Sequence, residues 1–382
     1  MSVGSRGSDA RKAIPLCEPS IGEHELELMA SCVKSTWVSS VGPYVDEFES
    51  RLAARLGVRR GVACSSGTAA LHLALYSLGI GPGDEVIVPA ATFIATANVV
   101  RYVGATPVVA DVTRDTWTLD PEMLPLLATE RTRAVIPVHL YGHPADMAPI
   151  LEWARERNAW VIEDATEALG ARYKRRQVGV LGHIGCFSFN GNKLITTGSG
   201  GMAVTDNPDW GERLSSLASQ ARAPGREYRH TEVGFNYRLT NVQAALGLAQ
   251  LDRIEEILRA KQAHARHYRD HLAQAAGIEI WPSAPWAEPD YWLLGIVLRD
   301  YPEGTRDRVI DSLAEEEIAS RPFFLPVHLQ PAYEGTAPNG CPVATWLWQR
   351  SLLLPSSADL TDSDIDRVCS ALLRALGRQG RT

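Results

Sequence analysis

The sequence predicts an α/β protein in which helices cover both faces of a mostly parallel central sheet. In the first half of the chain, short β-branched apolar runs alternate with helix-like stretches, and this alternation is typical of parallel sheets. The runs predicted to be strands are residues 85–89 (EVIVP), 106–112 (TPVVADV), 134–140 (AVIPVHL) and 160–165 (WVIEDA). The stretches predicted to be helices are residues 68–77, 95–102, 121–128 and 146–157.

The pattern changes near residue 241, where a long helical stretch covers residues 241–269. It is followed by a strand, a helix, a proline-rich loop and a terminal helix, predicted over residues 292–298, 306–317, 321–331 and from about 361 onward. Residues 361–364 (TDSD) match a capping box at the start of the terminal helix. We therefore predict a flexible tail over residues 1–13, a large domain over 14–255 and a smaller C-terminal α+β domain over 256–382.

Charge and composition exclude several classes of protein. The formal net charge of -7 argues against binding to nucleic acid or to an anionic membrane, because both need a basic surface. No segment approaches the run of about 20 apolar residues that crosses a bilayer. The polar first 13 residues lack the apolar region of a secretory signal, so we expect a cytoplasmic protein. Six cysteines without a CxxC pair, and a His139–His143 pair without a third ligand nearby, predict neither a disulfide framework nor a metal site.

The first motif that carries chemistry is residues 64–73 (CSSGTAALHL), which place small residues at the start of a predicted helix. The unpaired N–H groups and the positive dipole at a helix N-terminus can bind a phosphate. Gly67 would let such a ligand approach the backbone, and the Thr68 hydroxyl could donate a hydrogen bond to it. Taken alone, an ordinary capped helix start is the commoner explanation of this pattern.

Two further motifs supply an acid and a lysine. Asp164 lies at the carboxyl end of the strand predicted over 160–165, where open parallel sheets bind ligands, although capping of the next helix explains it equally well. A buried carboxylate there needs a cation such as a protonated pyridine nitrogen. Lys193 lies between an apolar segment and a glycine-rich one, which favours a buried nucleophilic amine over a solvated lysine. Along the chain, the sequence thus offers a turn that can bind phosphate, then an acid, then a lysine. These are the three groups that a pyridoxal cofactor requires.

At these residues the sequence resembles the DegT/DnrJ/StrS-type sugar aminotransferases, over nearly the whole chain from Ile14 to Val368. The segments that carry the resemblance are residues 83–89 (GDEVIVP), 92–98 (TFIATAN), 137–143 (PVHLYGH), 163–165 (EDA), 187–193 (FSFNGNK) and 234–238 (GFNYR). Residues 36–42 (TWVSSVG) and 188–193 (SFNGNK) are similar to one branch of the family, which makes amino sugars of the legionaminic-acid and bacillosamine type.

The resemblance implies the fold type I architecture of aminotransferases that use pyridoxal 5'-phosphate, with the cofactor bound by the large domain. It also implies a homodimer whose active sites are shared at the interface. Lys193 would form the Schiff base with the cofactor, Asp164 would pair with its pyridine nitrogen, and Glu167 would lie near its phenolic oxygen. The other residues implied at the cofactor are Gly67, Thr68 and Ser188 at the phosphate, Phe93 on the ring face, and Asn236 at the phosphate of the neighbouring subunit's cofactor. The residues implied near the substrate are Arg238, Arg321 and His328.

The sequence departs from the family pattern at two small residues, and also at Glu167, where many relatives carry glutamine or histidine. Thr166 stands where alanine is common, and Ser199 interrupts a run usually written with glycine or an acid before two glycines. Because both residues are small, we expect them to tune the site rather than to abolish its function.

The reaction implied by the resemblance has two halves. Glutamate would give its amino group to the cofactor, and a UDP- or GDP-linked 4-keto-6-deoxy sugar with an acetamido group at C2 would receive it. A cyclitol or another keto sugar is an alternative acceptor. A sugar dehydratase of the same fold is disfavoured because such relatives carry histidine in place of Lys193. A non-catalytic binding protein is disfavoured because it would be expected to lose Lys193 or Asp164.

Overall fold

The computed structural model describes residues 12–281 and 283–377, so residues 1–11 of the predicted tail lie outside the described residues. The strands are β1 (Arg60–Cys64), β2 (Glu85–Pro89), β3 (Thr106–Ala110), β4 (Thr132–Val135), β5 (Trp160–Asp164), β6 (Arg172–Tyr173), β7 (Arg176–Gln177), β8 (Ile184–Ser188), β9 (Gly201–Thr205), β10 (Ile278–Ile280), β11 (Ala287–Glu288), β12 (Leu294–Leu298), β13 (Arg321–Pro322) and β14 (Ser351–Leu354). The α-helices are α1 (Glu23–Ser35), α2 (Pro43–Leu56), α3 (Gly67–Ser77), α4 (Ala95–Tyr102), α5 (Met123–Leu127), α6 (Met147–Arg157), α7 (Pro208–Ala218), α8 (Asn241–Asp252), α9 (Ile254–Leu272), α10 (Thr305–Glu315), α11 (Pro342–Arg350) and α12 (Asp362–Gly377).

The central sheet has the strand order β1-β9-β8-β5-β4-β2-β3. Strand β9 runs antiparallel to both of its neighbours, whereas the other neighbouring pairs are parallel, so the predicted mostly parallel sheet is confirmed. Along β2, Val86 and Val88 belong to one buried cluster and Ile87 to another, because successive residues of a strand point to opposite faces. Helices α3, α4 and α7 contribute to the first cluster and α2, α5, α6 and α8 to the second, so helices cover both faces.

The four predicted strands form β2 to β5, but only β2 ends where predicted, and β5 stops one residue early at Asp164. The run over 106–112 stops at Ala110, and Val112 forms only an isolated bridge to Leu119. The run over 134–140 stops at Val135, shortly before Pro137, which has no N–H to donate to a ladder. The strands β1, β8 and β9 were not predicted because each contains a glycine, which weakens a strand pattern. At Gly185 a Cβ would lie 1.8 Å from the Gly179 carbonyl oxygen, so this close backbone contact requires glycine.

The predicted long helix over 241–269 is wrong as a single element. It is divided into α8 and α9 at Arg253, whose backbone leaves the helical region at φ -100° and ψ 1°. The Arg253 guanidinium binds the Ser20 carbonyl, the Glu25 carboxylate and the Glu256 carboxylate. The break therefore forms where the helix joins the N-terminal segment, a contact that helical periodicity does not reveal.

The C-terminal part has its own antiparallel sheet, in the order β10-β12-β14-β13, and a buried cluster shared with α9, α10 and α12. This confirms the smaller α+β unit, while its boundary at residue 256 stays a prediction. The capping box is confirmed, because the Asp364 N–H donates to Thr361 Oγ1 at 3.2 Å and the Thr361 N–H donates to Asp364 Oδ2 at 3.0 Å. Strands β6, β7 and β11 form a separate small sheet. Across residues 12–281 and 283–377, no helix combines the length and apolar character that a bilayer crossing requires.

Candidate active site

A cavity opens at one edge of the central sheet, where β1, β5 and β8 all end, with β9 lying between β1 and β8. These three strands run in the same direction, so their carboxyl ends share that edge, as in other open α/β sheets that bind ligands. The cavity has a volume of about 360 Å³. The sequence-predicted residues that line it are Gly67, Thr68, Phe93, Asp164, Glu167, Ser188, Lys193 and Arg321.

Lys193 reaches the cavity from the loop that joins β8 to β9. Its Nζ lies 3.5 Å from Glu167 Oε1 and 3.5 Å from the centre of the Trp292 ring. Burial lowers the pKa of the Lys193 amine, and the charge of Glu167 opposes this shift. A lowered pKa increases the fraction of neutral amine, which is the nucleophilic form.

Glu167 is the acid that faces this amine. Its Oε2 accepts the Tyr141 N–H at 2.8 Å, and its side chain is almost fully buried. Burial raises the pKa of Glu167, and Lys193 partly offsets that shift. Both pKa shifts favour the neutral pair over the ion pair. One proton can therefore be held either by the Glu167 carboxylate or by the Lys193 amine.

Changing Glu167 to glutamine in cofactor-free protein is expected to increase stability more at high pH than at low pH. The raised pKa means that the stability contributed by the Glu167 proton is present below the unfolded value of 4.5 and lost as pH rises through the folded value. The glutamine side chain does not ionise, so it has no such pH dependence. The difference in unfolding free energy between variant and wild type should therefore be larger at about pH 8 than at about pH 5, measured with a chemical denaturant.

The matched control for this change is Glu122→Gln, which alters an exposed acid outside the cavity. It should leave the pH dependence of unfolding unchanged. Equal stability differences for Glu167→Gln at both pH values would contradict the raised pKa.

Asp164 lies at the end of β5 and points its carboxylate into the cavity. The Thr96 hydroxyl donates to Oδ2 at 2.7 Å, and the Thr166 hydroxyl and N–H donate to Oδ1 at 2.6 and 3.2 Å. These three donors are neutral and satisfy both carboxylate oxygens with hydrogen bonds. A buried carboxylate held in this way suits a cationic ligand group such as a protonated ring nitrogen.

The start of α3 is a capped helix N-terminus, and its first turn also forms a concave site for an anion, which we call the phosphate cup. Ser66 is the N-cap and its Oγ accepts the Ala69 N–H at 3.0 Å, so the ordinary capping explanation of this motif also holds. The N–H groups of Gly67 and Thr68, in the first turn, have no carbonyl partner within the helix. A Cβ at Gly67 would lie 2.8 Å from Ser188 Cβ and 2.9 Å from Thr166 Cγ2. This close packing requires glycine at position 67, and the free N–H groups of the first turn can bind an anion such as a phosphate.

Replacing Gly67 by alanine is expected to weaken pyridoxal phosphate binding by roughly 5- to 150-fold, because overpacking a tight contact costs about 1–3 kcal/mol. The dissociation constant, from titration of cofactor-free protein followed by absorbance, measures this change. In the matched control Gly81→Ala, the new methyl group would lie 3.8 Å from its nearest contact, the Val103 carbonyl oxygen. Equal affinities in the two variants would rule out the cup.

Three residues implied by the resemblance do not line the cavity of this chain: Asn236, Arg238 and His328. Asn236 and Arg238 are exposed, and Arg238 forms an isolated backbone bridge with Cys64 at the end of β1. His328 Nε2 lies 3.2 Å from Thr345 Oγ1, while its buried Nδ1 has no hydrogen-bond partner within residues 12–281 and 283–377. Their roles at substrate or at a neighbouring cofactor stay predictions.

The structure adds cavity residues that the sequence did not predict, namely Thr96, Trp292 and Phe324. Thr96 contacts Asp164, and Trp292 lies against Lys193, through packing between distant parts of the chain. Thr96 belongs to the segment 92–98 that resembles the family, and this was the one signal available for it. Nothing in the local pattern around Trp292 or Phe324 indicates a site.

His139 and His143 have structural roles, as expected for a turn. His139 Nε2 lies 3.0 Å from Glu163 Oε2, and its Nδ1 accepts the Ala145 N–H at 3.0 Å. His143 Nδ1 donates to the Pro144 carbonyl at 2.8 Å, and its Nε2 accepts the Ala284 N–H at 3.2 Å. All four ring nitrogens are engaged, so this pair offers no ligand to a metal.

A lysine, a carboxylate and an anion cup around one cavity at this edge define the class of fold type I enzymes that depend on pyridoxal 5'-phosphate. The residues fit that cofactor, since the Asp164 carboxylate can face a cationic ring and the free N–H groups of Gly67 and Thr68 can hold a phosphate. Within this class the chain belongs to the DegT/DnrJ/EryC1/StrS aminotransferase family, whose sequence profile matches residues 19–373.

Individual relatives are similar over nearly their full length. The GDP-perosamine synthase of Caulobacter vibrioides is 45% identical over 364 residues, which are 95% of this chain and 98% of that protein. The GDP-perosamine synthase of Escherichia coli O157:H7 is 40% identical over 94% of this chain and 98% of that protein. The solved PLP form of Spr1654 from Streptococcus pneumoniae has a TM-score of 0.92 at 28% identity, covering 97% of this chain and 100% of that one.

Proposed function

We propose that this aminotransferase moves the amino group of glutamate to the keto carbon of a GDP-linked 4-keto-6-deoxy sugar. The observation that carries the proposal is the buried Lys193 amine, held between Glu167 and Trp292 at the mouth of the phosphate cup. The acceptor is supported by the two GDP-perosamine synthases among the relatives. Perosamine is a 4-amino-4,6-dideoxy sugar, so its keto precursor carries the carbonyl at C4.

Lys193 performs the proton transfers in both halves of the reaction. When bound, pyridoxal phosphate supplies an electron sink that stabilises charge at the carbon losing its proton. Lys193 Nζ removes a proton from Cα of glutamate in the first half and delivers a proton to C4 of the sugar in the second. Glu167 Oε1, 3.5 Å from Nζ, orients the amine between these transfers.

The remaining cavity residues bind and orient. The three donors from Thr96 and Thr166 orient the Asp164 carboxylate, which would face the ring nitrogen of the bound cofactor. The buried Nε of Arg321 has no partner among the described residues, and Arg321 lines the cavity. A guanidinium so placed binds the carboxylate of the amino donor.

We also propose that two copies of the chain share their active sites. Phe93 in the cavity wall is 54% exposed, and Trp37, Val38 and Val41 after α1 are 49%, 48% and 56% exposed, a surface that a second copy would cover. If Asn236 serves the partner's site, mixing inactive Lys193→Ala protein with impaired Asn236→Ala protein should restore activity after subunit exchange. Each mixed dimer would then keep one site with both residues intact. A mixture no more active than its parts would refute the shared site.

The experiment that tests the reaction follows cofactor absorbance from 300 to 500 nm, roughly the range in which bound pyridoxal and pyridoxamine forms absorb. Glutamate should convert the first form to the second, and the correct acceptor should reverse the change. The acceptor panel contains GDP- and UDP-linked 4-keto-6-deoxy sugars with a hydroxyl or an acetamido group at C2, and a keto-cyclitol. Product mass identifies the acceptor.

The outcomes of this panel separate the alternatives. Reversal by the GDP sugar bearing a C2 hydroxyl supports the proposal, and reversal by an acetamido sugar supports the acceptor expected from the branch resemblance. Reversal by the cyclitol alone would replace the sugar acceptor. No response to glutamate in protein that holds its cofactor would reject glutamate as donor.

A further inference from the structure

Two histidines of α9 and one aspartate of α12 direct their side chains to a single point, away from the active site. His267 and His271 are four residues apart in one helix and therefore project from the same face. Their rings are nearly parallel, with centres 4.7 Å apart and an angle of 5° between the planes. Asp366 Oδ1 lies 2.7 Å from His267 Nε2 and 3.0 Å from His271 Nε2.

We propose that His267, His271 and Asp366 form a binding site for Zn²⁺ that links α9 to α12. Two imidazole nitrogens and one carboxylate oxygen are a common zinc ligand set, with a solvent molecule in the fourth position. Zinc bonds of about 2.0–2.2 Å in tetrahedral geometry place ligand atoms about 3.3 Å apart. The ligand atoms here all lie within 4.8 Å of one another, so small side-chain rotations bring them around one ion.

A second carboxylate supports the same arrangement. Asp362 Oδ1 lies 3.3 Å from His267 Nδ1, on the side of the ring opposite the shared point. In zinc sites, a ligating histidine typically donates its other ring N–H to a carboxylate, which fixes the tautomer and the direction of the ring. Asp362 holds the His267 ring so that Nε2 is the nitrogen presented to the ion.

The site is open enough for an ion to enter. The side chains of His267, His271 and Asp366 are 22%, 46% and 51% exposed. Bound zinc would link the terminal helix α12 to α9. It would stabilise their packing in the buried cluster of the C-terminal part. This role is independent of amino-group transfer.

The test is a titration of zinc chloride into the untagged, full-length holoenzyme, followed by isothermal calorimetry. Wild-type protein should show one saturable site that His271→Ala and Asp366→Asn weaken at least tenfold. Asp362→Asn should weaken it by about 10- to 100-fold, the usual effect of removing an outer carboxylate. The matched control is His24→Ala, because His24 contacts Asp252 at 3.1 Å without a second histidine. It should leave the isotherm unchanged.

The variant His271→Gln keeps the side-chain volume closer to histidine, so it covers the case in which His271→Ala disturbs the fold. A crystal soaked in zinc should also show an anomalous peak between α9 and α12. Isotherms that are identical in wild type and in both His271 variants would overturn the proposal. So would the absence of binding at millimolar zinc, and the cluster would then be a hydrogen-bonded surface contact only.

Discussion

Replacing Lys193 by alanine is expected to abolish amino-group transfer and to remove the absorbance band of the lysine-bound cofactor. Loss of positioned proton transfer alone lowers kcat by about 100- to 10,000-fold, and loss of the covalent link to the cofactor adds to this. The fold should persist, because the lysine is a buried amine whose charge is costly there. Steady-state kinetics and an absorbance spectrum measure both effects.

The control for this prediction is Lys34→Ala, which removes an exposed lysine from the last turn of α1. It should retain both the band and the activity. A Lys193→Ala protein that kept substantial turnover would remove Lys193 from the mechanism and with it the proposed function.

Changing Asp164 to asparagine is expected to lower kcat by about 150- to 5,000-fold while the cofactor stays bound. The oxygen of asparagine can still accept from Thr166, and its NH2 group can donate to the Thr96 oxygen while the Thr96 hydroxyl donates to Thr92, so the local geometry survives. The negative charge opposite the ring nitrogen is lost, however, and removing one partner of a buried ion pair costs about 3–5 kcal/mol. The separation of the two effects, a retained band and a reduced kcat, distinguishes this variant from Lys193→Ala.

Asp146→Asn is the matched control, because Asp146 lies outside the cavity and accepts a hydrogen bond from the Tyr173 hydroxyl at 2.6 Å. It should keep kcat near the wild-type value. If Asp164→Asn also did so, the pairing of Asp164 with the ring nitrogen would be wrong.

The parts of the fold that the sequence predicted are those whose patterns are local. Strands β2 and β5 are runs of β-branched or apolar residues between helical stretches, and periodicity suffices to find them. Strands β1, β8 and β9 carry glycines that allow backbones to approach, so their pairing depends on partners far along the chain. The break at Arg253 has the same origin, since contacts with Ser20 and Glu25 fix it.

The residues of the candidate site also fall into two groups, those that a local pattern predicts and those that only the fold brings together. Lys193 and Asp164 could be predicted because an apolar flank and a strand end mark them in the sequence. The donors that hold Asp164 and the indole against Lys193 could not, because Thr96 and Trp292 meet them only after folding. The zinc ligands were missed because Asp366 lies in a different helix from the two histidines, although the spacing of His267 and His271 alone was visible.

The reversed strand β9 determines when the active site can assemble during synthesis. It is the last of the seven central strands along the chain, yet it lies between β8 and the first strand, β1. Before the ribosome releases it, β1 lacks its ladder partner, and the loop that carries Lys193 is anchored at only one end. Contacts between such distant segments form slowly and leave an exposed strand edge in the meantime. We therefore expect the active-site cavity to be complete only after Thr205 has emerged, because the loop that carries Lys193 is anchored at both ends only then.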